Sequence, residues 1–351
     1  MPEPLKLLYD AEAPLEPLLG KTVVVIGYGS QGHAHALNLR DSGVRVIVSN
    51  RKDSPNGQLA TDHGFEVICK GDAVPLADLV IMATPDEVQP DVYAKHVAPH
   101  LKSGSAVGFI HGFNIHYKTI EPAPGVDVIM VSPKGAGPFV RLQYERGGGA
   151  PCLVAVHQDA TGLARSIALA WARGIGGGRG GIIETTFKNE TETDLFGEQV
   201  VLCGGLTALI KAAFDTLVQA GYPPEIAYFE CVHEVKLLAD LLHEGGLTWM
   251  HHKISNTAEY GEYTRGPRVI DEHSRAEMRK ILTEIQSGQF AREFRAEHAG
   301  GMKTLLERRR ADEKLLVESV GRRLRSAMPW LGPKVPSAAP PAPSPGTPGE
   351  G

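Results

Sequence analysis

Four carboxylates in the second half of the chain are spaced for joint chemistry. Asp194 and Glu198 are four residues apart, and so are Glu230 and Glu234. On a helix, residues at i and i+4 lie on one face. Val200, Val201, Leu202, Cys203, Leu206, Leu209 and Ile210 follow the first pair and cover nearly all sides of its helix. A helix apolar all round is expected to be buried. The second pair sits on a stripe of Ile226, Glu230, Glu234, Leu237 and Leu241, spaced 4, 4, 3 and 4, so both carboxylates are expected to face inward. An unpaired buried charge is very costly. Such groups therefore cap a helix, pair with a basic side chain, or hold a cation. Lys188, Lys211 and Lys236 are the nearby basic residues, and Lys236 falls off the stripe. Spacing favours the cation. Carboxylates without a Cys–His pattern select a hard ion, Mg²⁺ or Mn²⁺, rather than zinc.

A second chemical signal lies near the N-terminus. Lys21 to Ile26 is a short β-branched run, the composition of a buried strand. It meets Gly27-Tyr28-Gly29-Ser30-Gln31-Gly32, and His33 to Arg40 then favours a helix. Strand, GxGxxG and helix together form the context of a dinucleotide fingerprint. Gly27 permits the tight turn, Gly29 admits the pyrophosphate, and Gly32 lets helix and strand pack. The helix N-terminus supplies N–H groups to the phosphates. After the next strand, Val44 to Val48, an NAD site usually places Asp or Glu. Here Ser49 and Asn50 are followed by Arg51, Lys52, Asp53 and Ser54. Arg51 and Ser54 suit a 2′-phosphate, with Lys52 a possible helper, so NADP is favoured. Asp53 is expected to point to solvent.

These residues must be positioned by the elements around them. Further strands are expected at 65–69, 77–83, 105–110, 126–131, 152–156 and 182–186, separated by helical stretches. The pattern is an α/β Rossmann-like domain with a mostly parallel, doubly wound sheet. Ligands in such folds bind beyond the carboxyl ends of the strands. Asp86 with Gln89, His111 and Lys134 occupy three such ends. After Thr186 the strand signals stop and an all-α region follows, with helices at about 194–220 and 225–243 and a break at Gly245-Gly246. The polar stretch His251 to Gly261 either binds a small substrate or is a polar loop. Residues 277–294 and 302–325 read as amphipathic outer helices, and the Pro-rich segment from Gly332 as a disordered tail. The expected organisation is a dinucleotide-binding domain at 1–185, an all-helical domain at 186–331 and the tail at 332–351.

Composition narrows the class. A net charge of −5 gives no reason to expect nucleic acid or an anionic membrane as partner. Arg308 to Arg310 are better read as a solvated helix face. Cys69, Cys152, Cys203 and Cys231 are widely spaced among apolar residues, as in reduced buried thiols of a cytosolic protein. No signal pattern opens the chain, and no apolar run approaches the ~20 residues of a membrane span. A soluble, cytoplasmic protein is expected.

Five segments together are very specific: Gly-Tyr-Gly-Ser-Gln-Gly-His-Ala-His-Ala-Leu-Asn-Leu-Arg (27–40), His-Gly-Phe-Asn-Ile-His (111–116), Glu-Thr-Glu-Thr-Asp-Leu-Phe-Gly-Glu-Gln (190–199), Ala-Gly-Tyr-Pro-Pro-Glu (220–225) with Ala-Tyr-Phe-Glu-Cys-Val-His-Glu (227–234), and Ile-Ser-Asn-Thr-Ala-Glu-Tyr-Gly (254–261). Through them, residues 1 to about 331 resemble the short, class I ketol-acid reductoisomerases. The resemblance implies a knotted C-terminal helical domain and an intertwined homodimer. It implies Mg²⁺ ions held by Asp194, bridging two ions, and Glu198, with Glu230 and Glu234 supplied by the partner subunit. Ser255 would hold the substrate carboxylate, and His111 and Lys134 would sit near the reacting atoms. Glu234 is a candidate base. Tyr28, Ser30, Gln31, Arg51, Ser54, Asp86, Glu87, Val88, Gln89 and Gly137 would contact NADPH, with Asn56 where the family often has a second phosphate-loop serine. The substrate would be 2-acetolactate or 2-aceto-2-hydroxybutyrate, rearranged and then reduced on the route to valine, leucine and isoleucine. The rivals are a metal-independent NADP-dependent hydroxy-acid dehydrogenase and a non-catalytic dinucleotide sensor.

Overall fold

The computed structural model describes residues 4–331. The expected disordered tail lies outside them. The described residues form nine strands: β1 Leu7–Leu8, β2 Thr22–Ile26, β3 Arg45–Ser49, β4 Val67–Ile68, β5 Leu79–Met82, β6 Ala106–Phe109, β7 Asp127–Pro133, β8 Cys152–Gln158 and β9 Ile182–Glu184. They make one sheet in the order β1-β9-β8-β7-β6-β5-β2-β3-β4. From β4 across to β7 every pairing is parallel. β8 turns antiparallel to β7, and β1 closes the far edge antiparallel to β9. The chain leaves β2 in one direction through β3 and β4, then returns to β5 on its other side. That reversal is the topological switch point where such sheets bind ligands.

The strands are continuous apolar runs because both sheet faces are covered. All five residues of β2 are buried. One face packs on Trp171, fully buried in the helix Ala164–Gly174. A Cβ on Gly108 would lie 2.5 Å from that indole, so only glycine fits there. The other face carries Phe109, Val128, Met130 and Phe187. The N-terminal arm contributes β1. The expected strand at 65–69 is reduced to Val67–Ile68.

The chain divides into two compact units, up to Thr193 and from Asp194 on, within the helix Phe187–Gly197. The second unit contains no strands among the described residues. Its small core gathers Phe214, Ala227, Tyr228 and Val320. The outer helices are shorter than the sequence pattern predicts. Residues 277–294 divide between Glu272–Gln286 and Gln289–Ala299, parted by Gly288 at φ 71°. Residues 302–325 divide between Lys303–Asp312 and Leu316–Ser326. The Gly245-Gly246 break is a kink, with Gly246 at φ 72°, inside the continuous segment Glu234–Lys253.

Two expectations fail here for one physical reason. The helix after Asp194 is not buried: Val201 is 57% and Leu202 65% exposed. Nor does the second stripe face inward, because Glu230 and Glu234 are exposed and Leu237 is half-exposed. An apolar face identifies a surface that needs covering, and one chain does not cover this one. The same helix, Phe187–Gln219, is long and apolar enough by length and composition to cross a membrane, which the run count did not anticipate. Its Lys211, however, pairs with Asp312 of the second unit at 2.9 Å. All four cysteines are free, yet only Cys152 is buried. Cys69 and Cys203 are exposed, against expectation, since apolar neighbours in sequence need not be neighbours in space.

Candidate active site

The phosphate loop follows from its glycines. Gly27 leaves β2 at φ 99°, a conformation that disfavours side chains. A Cβ on Gly32 would lie 2.2 Å from the Gly27 carbonyl oxygen, so helix Ser30–Asp41 approaches the strand only without one. At Gly29, the N-cap, a Cβ would meet nothing within 4 Å. The backbone there faces open space, as a phosphate-binding helix start requires. The loop after β7 closes one side. Gly137 N donates to Ser30 Oγ at 3.2 Å, and Gln31 Nε2 donates to the Gly135 carbonyl at 2.9 Å. Gln31 Oε1 and Thr84 Oγ1 are buried without a hydrogen-bond partner, two polar atoms that a bound ligand could satisfy. These features fit a dinucleotide. The Tyr28 side chain is buried, with Oη 2.8 Å from His63 Nδ1 and its ring against Phe65.

At the end of β3, Asn50 Oδ1 accepts from Arg51 N at 2.9 Å. Ser54 caps the helix Pro55–Asp62, accepting from Gly57 N at 3.1 Å and donating to the Arg51 carbonyl at 2.7 Å. The Ser54 hydroxyl thus shapes the turn that presents Arg51. The Arg51, Asp53 and Asn56 residues are exposed. After β5, Asp86, Glu87 and Val88 lead into Gln89. Gln89 is buried and donates to the Thr84 carbonyl at 2.8 Å. Its Oε1 accepts from Asn114 Nδ2 at 3.1 Å, and Asn114 also donates to the Asp86 carbonyl. Gln89 therefore braces the loops after β5 and β6 against each other.

The loops after β6 and β7 converge on a residue that sequence reading did not single out, Glu190. Its carboxylate is fully buried on the first turn of Phe187–Gly197. It accepts from Gly112 N at 3.0 Å, Ser132 Oγ at 2.8 Å and Lys134 Nζ at 3.2 Å, and it faces His111 Nδ1 at 3.1 Å. Burial alone would raise its pKa. The hydrogen bond and charge of His111, then Lys134 and Ser132, overcome burial and hold it down at about 2. Two residues further on, Glu192 lies 3.3 Å from His116 Nε2. The available signal for Glu190 was its place four residues before Asp194, which extends the acidic stripe by a turn. Thr186 caps this helix, accepting from Asn189 N at 3.0 Å, whereas Thr193 bonds back to the Asn189 carbonyl.

In the second unit the carboxylates stand on irregular helix. Glu198 opens a π-helical turn, Glu198–Leu202, and Glu230 lies in another, Phe229–His233. Such π turns are frequent at functional sites. Among the described residues neither Glu230 nor Glu234 makes an ion pair, while Lys236 turns to Asp240. Oxygen-only donors of this kind fit a hard cation. The polar stretch is not a loop. Ser255 is exposed and N-caps the helix Asn256–Val269, accepting from Ala258 N at 3.2 Å. His251 is engaged by Glu262 and Tyr263. A cleft of about 550 Å³ in the first unit, lined by His116, Glu121, His157 and Lys188, contains none of the expected site residues.

A switch-point sheet with an open fingerprint loop defines a nicotinamide-dinucleotide-binding domain, here followed by a helical unit. Comparison with known proteins makes the class specific. The pattern of the acetohydroxy acid isomeroreductase NADPH-binding domain matches residues 17–181, and that of the ketol-acid reductoisomerase C-terminal domain matches residues 187–330. An NADH-preferring ketol-acid reductoisomerase from an uncultured archean is 43% identical, with TM-score 0.91 over 92% of this chain and 99% of that one. More distant structures share the fold alone. A semialdehyde dehydrogenase NAD-binding protein from Cupriavidus necator is 21% identical, with TM-score 0.57 over 76% of this chain and 99% of that one. A 1-pyrroline-5-carboxylate reductase from Streptococcus pyogenes is 14% identical, with TM-score 0.51 over 76% and 98%. The chain belongs to the ketol-acid reductoisomerase family, NAD(P)-dependent enzymes of branched-chain amino acid biosynthesis that couple an isomerisation to a reduction.

Proposed function

We propose that this enzyme rearranges 2-acetolactate or 2-aceto-2-hydroxybutyrate with Mg²⁺ and reduces the product with NADPH, giving the 2,3-dihydroxy-3-methyl acid. The observation that carries the reading is the convergence of His111, Ser132 and Lys134 on the buried Glu190, one turn before Asp194.

Asp194, Glu198, Glu230 and Glu234 would hold two Mg²⁺ ions, whose charge supports negative charge first on the C2 oxygen and then on the C3 oxygen. Glu234 takes the C2 hydroxyl proton. The alkyl group moves with its electron pair from C2 to C3, leaving a ketone at C2 and an alkoxide at C3. NADPH, when bound along Gly27 to Gly32, supplies the hydride for that ketone. Lys134 and His111 would hold and exchange protons at the reacting oxygens. Ionised Glu190 accepts from Nδ1 of His111 and so fixes the orientation of the ring. Ser255, with its hydroxyl at a helix start, would orient the substrate carboxylate.

The active unit is a cytoplasmic homodimer in which the bare faces carrying Leu202 and Leu237 meet a second copy. Glu230 and Glu234 then come from the partner. The supporting observation is the exposure of large apolar side chains along the second unit. Arg51, presented by Ser54, supports NADPH over NADH. The test is loss of NADPH absorbance on adding 2-acetolactate, with Mg²⁺ and with EDTA. Turnover that survives EDTA would favour a plain hydroxy-acid dehydrogenase. NADPH binding without substrate-dependent oxidation would favour a sensor. Equal use of NADH would overturn the reading of Arg51 and Ser54.

A further inference from the structure

We infer that Lys70 is a second cation for the 2′-phosphate, standing beside Arg51 at the carboxyl edge of the neighbouring strand. The inference rests on the NADPH reading above and names a residue that the fingerprint does not contain.

The strand register places the two side by side. β3 and β4 run parallel, with Val48 opposite Val67 and Ser49 opposite Ile68. Arg51 and Lys70 each lie two residues past the last register pair, Ser49–Ile68, in the turn and the helix start that follow strands spaced about 4.8 Å apart. Lys70 starts the short helix Lys70–Ala73 and is half-buried. Burial first, and then the charge of Arg51, push its pKa down, against the opposing effect of Cys69. On its other side, Lys70 joins Lys95 and His100 in lowering the pKa of His96, for which burial is the main cause. The His100 ring also comes close, 3.7 Å from where a Cβ on Gly71 would be. This corner therefore gathers positive charge. Asp53 and Asp72 are the acidic residues adjacent in sequence, and both are exposed. Among the described residues, neither Arg51 nor Lys70 forms an ion pair.

Holding like charges together is unfavourable unless an anion joins them. A phosphate monoester is the anion that matches. Arg51 offers a planar fork, and Lys70 a compact point charge that a neutral ribose hydroxyl would not repay. The adenosine end of a dinucleotide lies at this edge of the sheet, beyond β3.

The test is titration calorimetry of the full chain with adenosine 2′,5′-bisphosphate, AMP, NADPH and NADH. Lys70→Met should weaken the bisphosphate and NADPH by ~10-fold while leaving AMP and NADH within about twofold. Lys70→Arg should retain most of the preference. Lys95→Met, which removes a nearby surface cation paired with Asp91, should change none of them. Circular dichroism checks that each variant is folded. Two results overturn the inference while leaving the NADPH reading standing. One is an unchanged bisphosphate affinity in Lys70→Met alongside a loss in Arg51→Gln. The other is an equal loss for AMP and the bisphosphate. A wild-type chain that binds NADPH no tighter than NADH overturns the NADPH reading and this inference with it.

Discussion

Glu190 and the pair Glu230/Glu234 are acidic residues in opposite situations. Glu190 is sealed in the first unit and meets four donor groups from two strand-end loops and a backbone amide. Glu230 and Glu234 stand exposed on a helix whose apolar neighbours are bare. The first arrangement is complete within one chain, so its carboxylate organises other side chains. The second has no such set of donors within the described residues, which is why the proposed reading assigns its carboxylates to a cation and a second copy. The difference separates a carboxylate whose donors lie within the fold from carboxylates left open to solvent.

Substitutions break this contrast in graded ways. The largest effect is expected for Asp194→Asn, which should lower the isomerisation rate by roughly 10³-fold through loss of metal charge, with little change in Tm. A large fall in Tm instead would place Asp194 with Glu190. Glu190→Gln should behave in the reverse manner. It leaves His111 and Lys134 without their shared anion and should cost about 3 kcal/mol in urea unfolding. Because the Glu190 pKa is depressed to about 2, its contribution is fully present above the ordinary carboxylate value of 4.5 and is lost as pH falls toward 2. The variant should therefore show a flatter acid-stability profile across that window. Unchanged profiles would mean that the carboxylate is not the hub.

Leu202→Asp tests the exposed side of the comparison. It should weaken self-association by at least ~30-fold, read by light scattering, while the first unit still binds dinucleotide. A wild-type chain that is monomeric at micromolar concentration would end the dimer reading. The smallest effect is expected at His35, which is buried and accepts from Trp171 Nε1 at 3.0 Å. Burial lowers its pKa to about 3. Stability from the neutral ring is fully present above the ordinary 6.5 and declines as pH falls toward 3. His35→Gln should cost ~1 kcal/mol and flatten that decline, followed by Trp171 fluorescence.

Much of the first unit was legible in the sequence because its signals are local. A β-branched run, three glycines and a helix former specify strand, turn and helix without distant help. The geometry around Gly27, Gly29 and Gly32 follows that reading closely. Roles that depend on distant partners were not legible. Tyr28 packs on Phe65 and Gln89 braces Asn114, contacts made across 37 and 25 residues of chain that no local pattern announces. Glu190 was passed over because its donors come from 56 to 79 residues away. In the helical unit, periodicity located apolar faces correctly and assigned them wrongly to the interior.

The sequence alone determined the alternation of strands and helices, the fingerprint loop, the i,i+4 carboxylate pairs and the motifs that define the family, because each depends on residues within a few turns of one another. Only the tertiary structure decided which carboxylate is buried, which glutamine is a brace, and which apolar helix faces are left bare. Burial and charge compensation are set by groups that sequence distance does not order. A carboxylate acquires its pKa and its role from whichever donors the fold brings to it.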